Sequence, residues 1–211
     1  MNLIRHALQQ MPIVAILRGI KPTEVDWAFD VLSAAGIRLI EVPLNSPSPY
    51  DSIRRMQQRA GDDILIGAGT VLTTAQVDEL QAIGAKLVVA PNCDTAVIRA
   101  AKGYGMAALP GAFTPTEAFT ALQAGADGLK MFPGELMPPA AVKAWRQVMP
   151  EGTLLLPVGG VTVDNMAAYV AASADGFGIG GSLYKPGIDA AELKQRVDAF
   201  VARVGEIWPK R

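Results

Sequence analysis

Cysteine and histidine are nearly missing from this chain of 211 residues, which holds only Cys93 and His6. One thiol cannot close an intramolecular disulfide. Without a second imidazole or thiol, there is no all-protein set of soft ligands for zinc, copper or an iron–sulfur cluster. Cys93 reads as a small, semi-buried packing residue, and His6, near the chain end, as a surface one. Charge is sparse too. Charged residues make up 18% of the chain and the formal net charge is −1 with no basic cluster, so nucleic acid and anionic membranes find no electrostatic footprint. No apolar run is long enough to span a bilayer, and Met1-Asn2-Leu3-Ile4-Arg5-His6 lacks a charged-then-apolar leader pattern. These absences point to a cytoplasmic protein whose partner is a small molecule.

Apolar residues are plentiful, at 50% of the chain. That suffices for one sizeable core, with a surplus for an unusually apolar interior or a subunit interface. No low-complexity linker or shift in composition divides the sequence, so residues 1–211 are expected to form one domain. Short β-like runs recur at Ile13–Leu17, Leu39–Leu44, Ile64–Gly67, Leu87–Ala90, Met106–Leu109, Gly128–Phe132, Leu154–Val158 and Gly176–Ile179. Amphipathic stretches lie between them. Their start signals are Pro22-Thr23-Glu24, Thr73-Thr74-Ala75-Gln76, Thr114-Pro115-Thr116-Glu117 and Asp164-Asn165, and glycines stand near their ends at Gly36, Gly61, Gly84, Gly103 and Gly125. Pro43–Pro49 reads as a loop and helix start, and Met1–Gln10 as a short helix before the first strand. Strand and helix alternate as one repeating unit, which predicts an α/β fold: a (β/α)8 TIM barrel with a short N-terminal helix. An open doubly wound sheet is the alternative. It would normally carry a glycine-rich turn early in the chain, where Gly19 stands alone.

In such a barrel the reactive groups stand at the carboxyl ends of the strands. Lys130 sits inside the apolar run Gly128-Leu129-Lys130-Met131-Phe132-Pro133, where desolvation lowers an amine's pKa and makes it a nucleophile toward carbonyls. Glu41, in the second strand, is the matching acid or base. The bland alternatives are a lysine whose head snorkels to a carboxylate, and a structural Glu41 paired with Arg18 or Lys130. The glycine turns Gly159-Gly160 and Gly180-Gly181-Ser182 follow the last two strands, where barrels cradle phosphate with backbone amides; glycine also serves tight turns. Arg18 and Thr70 can hold a second anion, a carboxylate, unless Arg18 is only a rim ion pair.

Five segments carry a resemblance. Val14-Ala15-Ile16-Leu17-Arg18-Gly19-Ile20, Ile40-Glu41-Val42-Pro43-Leu44-Asn45-Ser46-Pro47, Ile66-Gly67-Ala68-Gly69-Thr70-Val71, Leu129-Lys130-Met131-Phe132-Pro133 and Pro157-Val158-Gly159-Gly160-Val161 resemble, in order, the Schiff-base 2-keto-3-deoxy-6-phosphogluconate and phosphogalactonate aldolases. Asn45-Ser46-Pro47 and Val158 resemble the phosphogalactonate branch, since gluconate enzymes carry Thr before the Gly-Gly turn. The resemblance implies a phosphorylated keto-acid substrate, an imine on Lys130, proton transfer by Glu41, and neither a metal nor another cofactor. It implies that Arg18 and Thr70 hold the pyruvyl carboxylate and that Phe132 and Pro91 wall the site. It further implies that Asn45 and Val158 face the substrate, that Gly159, Gly160, Gly180, Gly181 and Ser182 hold the phosphate, and that the assembly is a homotrimer. The alternatives are gluconate or dual specificity, a sugar-phosphate epimerase or isomerase, and a phosphosugar-binding protein without turnover.

Overall fold

The computed structural model describes residues 3–208. Helix α1, Leu3–Gln10, precedes strand β1, Ile13–Ile16; the first two residues of the expected opening helix lie outside the described part. Then follow α2 (Val25–Ala34), β2 (Leu39–Pro43), α3 (Pro49–Arg59), β3 (Leu65–Gly69), α4 (Thr74–Ala82), β4 (Leu87–Val89) and α5 (Thr95–Gly103). The second half holds β5 (Ala107–Leu109), β6 (Gly111–Ala112), α6 (Pro115–Gln123), β7 (Leu129–Met131), α7 (Pro139–Arg146), β8 (Leu155–Pro157), α8 (Met166–Ala171), β9 (Phe177–Ile179) and α9 (Ala190–Ile207). All pairings are parallel. One sheet runs β5-β4-β3-β2-β1-β9 and the other β6-β7-β8. This is an α/β fold with a curled parallel sheet. Among the described residues no helix is long and apolar enough to cross a membrane.

Every residue of these strands is buried, which is why they read as unbroken apolar runs instead of an alternation. Alternate side chains still separate to opposite faces. One set, including Ala15, Ile40, Val42, Ile66, Ala68 and Val88, packs beneath the helices. The other set, Val14, Leu39, Leu65, Leu87, Val89, Ala107, Leu109, Leu154 and Leu156, forms a separate inner cluster. Ile4, Ala7 and Leu8 of α1 join that inner cluster, so the opening helix stoppers its amino-terminal end.

Local signals set where each unit begins and ends. Thr73 and Thr114 cap α4 and α6 in reciprocal capping boxes with Gln76 and Glu117, each stabilising its helix by about 1 kcal/mol. Helices α2, α4, α5 and α6 stop at left-handed glycines, Gly36, Gly84, Gly105 and Gly125. At each stop the next amide bonds back to the carbonyl five residues earlier, as from Ile37 to Leu32 and from Ala126 to Ala121. Two expected stops differ. Gly103 is still helical, since the left-handed turn falls on Gly105, and Gly61 follows an extended cap at Ala60.

Two strand boundaries differ by more than a single residue. Strand β3 runs on to Gly69, because Pro43 and Val42 continue the ladder beside Gly69 and Ala68. The fifth strand does not end at Leu109: after Pro110 the chain pairs again as β6, and the Pro110 carbonyl accepts the Lys130 amide at 2.9 Å. Proline punctuates the ladder without turning the chain away. Close approach explains one strand glycine. A Cβ at Gly67 would overlap the backbone carbonyl of Leu87 in the neighbouring strand. Gly67→Ala is therefore expected to lower the unfolding free energy by about 3 kcal/mol, measured by urea denaturation.

Candidate active site

Glu41 and Lys130 enter the inside of the fold from β2 and β7, with exposures of 1% and 5%. Both line one cavity with Val14, Ile16, Val89, Leu109, Leu156, Val158 and Gly178. Apart from the ionisable pair this wall is apolar, and it decides the protonation states. Burial raises the Glu41 pKa from 4.5 to about 7, opposed by the nearby cations of Lys130 and Arg18. Burial also lowers the Lys130 pKa; Glu41 opposes that shift and Arg18 adds to it. The Lys130 ammonium position lies 4.7 Å from the centroid of the Phe132 ring. Oε2 of Glu41 is buried with no hydrogen-bond partner, an expensive state that structural carboxylates avoid. Gly69 makes room for it: any Cβ there would overlap the Glu41 carboxylate.

The remaining expected residues follow the carboxyl ends of the strands. Arg18 follows Leu17, whose amide donates to the Glu41 carbonyl at 3.0 Å, and its Nη1 donates to Oδ1 of Asn45 at 2.6 Å. Thr70 follows Gly69 in the left-handed region at φ 58°, which a β-branched residue enters at a cost on the order of 1 kcal/mol. Pro91 follows β4 and is half-buried; a Cβ on Gly111 would overlap its carbonyl. Val158 continues β8 and bridges to Gly178 of β9.

Gly159 and Gly160 both have positive φ, 105° and 67°. The Ser182 hydroxyl donates to the Val161 carbonyl at 2.9 Å and so joins the turns after β8 and β9. Asn165 is spent on the same region. Its side chain donates to the Gly160 carbonyl and accepts from the Thr162 amide, and it makes no cap bond to α8. Among the described residues the amides of Gly160, Val161, Gly181 and Ser182 have no protein acceptor. Unpaired amides on two glycine turns that a hydrogen bond joins suit a phosphate.

Sequence reasoning passes over three participants. Gly69 lies within a noted motif, but its contact with Glu41 crosses strands. Ser46, only 7% exposed, accepts the Gly19 amide at 2.9 Å. Glu135 packs on the glycine turn, with Cγ 2.7 Å from where a Gly160 Cβ would stand. Among the described residues no group of three or more His, Cys, Asp or Glu side chains gathers as a metal site.

The family model for KDPG and KHG aldolase matches residues 4–199. The chain belongs to the KDPG and KHG aldolase family. Within this aldolase family, it is 46% identical over 94% of both chains to a protein of Rhizobium meliloti (strain 1021) named probable 2-dehydro-3-deoxy-6-phosphogalactonate aldolase. It is 45% identical to the 2-dehydro-3-deoxy-6-phosphogalactonate aldolase of Escherichia coli (strain K12), over 91% of this chain and 94% of that one. A solved structure described as native KDPGal superposes with a TM-score of 0.92 at 44% identity, covering 94% of this chain and 96% of the other.

The buried carboxyl of this KDPG/KHG family member has a measurable consequence for folding. Since folding raises the Glu41 pKa, the native state holds its proton longer than the unfolded chain does, and stability falls as pH rises between 4.5 and about 7. The loss is absent below that window and complete above it. Glu41→Gln removes it, so the variant should exceed the parent in unfolding free energy by roughly 3 kcal/mol at about pH 8. The two should converge below about pH 4, as read by urea denaturation.

Proposed function

We propose that this protein is a class I aldolase that cleaves 2-dehydro-3-deoxy-6-phosphogalactonate to pyruvate and D-glyceraldehyde 3-phosphate. The observation that carries the reading is the Lys130 amine, desolvated and sharing one apolar cavity with Glu41. The names of the relatives at 46% and 45% identity support the substrate. Neutral Lys130 attacks the C2 ketone, and loss of water gives an iminium that withdraws electrons from C3. Glu41 takes the proton of the C4 hydroxyl, the C3–C4 bond breaks, and glyceraldehyde 3-phosphate departs, leaving the enamine of pyruvate on the lysine. Glu41 returns a proton to C3, and water hydrolyses the imine. A carboxyl whose pKa lies about 7 gives and takes protons near neutrality with little driving-force penalty.

Arg18 and Thr70 receive the carboxylate at one end, with Asn45 beside Arg18, and Phe132 and Pro91 wall the site. The turns Gly159-Gly160 and Gly180-Gly181-Ser182 take the phosphate at the other end, a role that their unpaired amides support. Val158 presents methyl groups near C4, where a hydroxyl would bond one configuration of the substrate, and this favours the galactonate over the gluconate epimer.

The architecture we infer is a single domain forming a closed (β/α)8 barrel. The Val158–Gly178 bridge and the lone residue Pro110 between β5 and β6 favour closure at both seams of the two sheets. A homotrimer in the cytoplasm completes the proposal. Leu72, Phe113, Leu136 and Val148 are large apolar side chains left exposed on the single chain and offer surface for an interface.

Borohydride reduction in the presence of pyruvate should leave a covalent adduct on Lys130, located by peptide mass mapping. Lys130→Met should abolish it, and a label on any other lysine would overturn the assignment. Glu41→Gln should still be labelled, while turnover falls by about 10² to 10⁴. Wild-type cleavage should be faster on the galactonate than on the gluconate epimer in a coupled assay of pyruvate release; equal rates would refute the epimer preference.

A further inference from the structure

The loop after β2 holds the loop after β1 through two adjacent side chains. Asn45 Oδ1 accepts from Arg18 Nη1 at 2.6 Å, and Ser46 Oγ accepts from the Gly19 amide at 2.9 Å. The amide of Ser46 is itself tied to the Pro43 carbonyl at 2.9 Å, so the acceptors sit on a turn anchored to the end of β2. The gripped segment has little freedom of its own. Gly19 lies at φ 83°, and Pro186 closes over it, with Cγ 2.7 Å from where a Cβ would stand. Arg18 makes no ion pair with any carboxylate among the described residues, and its one side-chain partner is a neutral amide.

That choice of partner matters. An aspartate at position 45 would fix the guanidinium equally well, but would neutralise it and compete with an incoming anion. An amide oxygen orients the fork, leaves its charge undiminished and leaves further N–H donors free. We infer that Asn45 and Ser46 are positioning residues that hold Arg18, uncompensated, at the mouth of the site to receive the substrate's carboxylate, Asn45 acting through Arg18. The inference rests on the aldolase reading and adds a division of labour within it. It has a second consequence, because the same guanidinium stands near both buried groups, favouring the neutral amine of Lys130 and the ionised form of Glu41. A displaced Arg18 would weaken carboxylate binding and shift the pH dependence of imine formation together.

The test is a double-mutant cycle on the full-length protein, reading the pyruvate concentration that half-saturates borohydride trapping at Lys130 across pH. Asn45 is exposed, so Asn45→Ala removes little packing, and thermal unfolding checks its integrity. Asn45→Ala should raise the half-saturating concentration about tenfold and move the pH profile of trapping toward alkaline values. Asn45→Asp should raise the half-saturating concentration further. In an Arg18→Met background, Asn45→Ala should not add to the loss. If Asn45→Ala has the same effect with and without Arg18, or no effect, the inference is overturned. Absence of any pyruvate adduct in the wild-type protein would instead refute the aldolase reading itself.

Discussion

The structure turns on the desolvation of one amine and one carboxyl in the same apolar cavity. In water, Lys130 would be a cation and Glu41 an anion, and neither would be reactive near neutral pH. The inner cluster of Val14, Leu39, Leu65, Leu87, Val89, Leu109, Leu154 and Leu156 supplies the dry side of that environment. Its packing requires the strands to be buried on both faces, with α1 closing the far end. Gly69 must stay bare so that the Glu41 carboxylate has space, and Gly67 must stay bare so that β3 and β4 can approach. The fold is thus built around a polarity conflict that it does not relieve, and the buried, unpartnered oxygen of Glu41 is its clearest mark.

Much of this was legible in the amino acids. Apolar runs located the strands, since a doubly buried strand has no reason to alternate. Threonine–glutamine and threonine–glutamate spacings fixed the starts of α4 and α6. Lys130 and Glu41 stood out because a charge within such a run carries a desolvation cost that chemistry must justify. Less was legible where a residue serves two plausible local roles. Gly103 reads as the helix stop, yet the left-handed turn falls two residues later on Gly105, which only backbone conformation reveals. The fifth run reads as ending at Leu109, yet the carbonyl of the following Pro110 stays in the ladder. Asn165 has the composition of a helix cap but is drawn to Gly160 instead.

Contacts between loops were the least legible of all. Arg18 and Asn45 are 27 residues apart and touch because Ile16 and Glu41 are register partners on neighbouring strands. No local periodicity encodes such a pair. It follows from parallel topology, in which every carboxyl end emerges at one rim and loops distant in sequence become neighbours. Ser182 and Val161 meet in the same way, and their bond unites the two glycine turns.

The left-handed glycine stops return the chain to the sheet with almost no slack. Ile37, Ala85, Met106 and Ala126 each bond back into the helix just completed and come within a few residues of the next strand. At the opposite rim the chain is more generous, as in the stretch between Ile179 and Ala190. Tolerance for insertions and deletions is therefore one-sided. Lengthening a helix-to-strand return would break a backbone bond and shift the following strand, whereas the rim facing the cavity can gain or lose residues while the strands stay in place. A lineage built on this frame can explore new ligands by remodelling one edge, and the other edge keeps the scaffold in register.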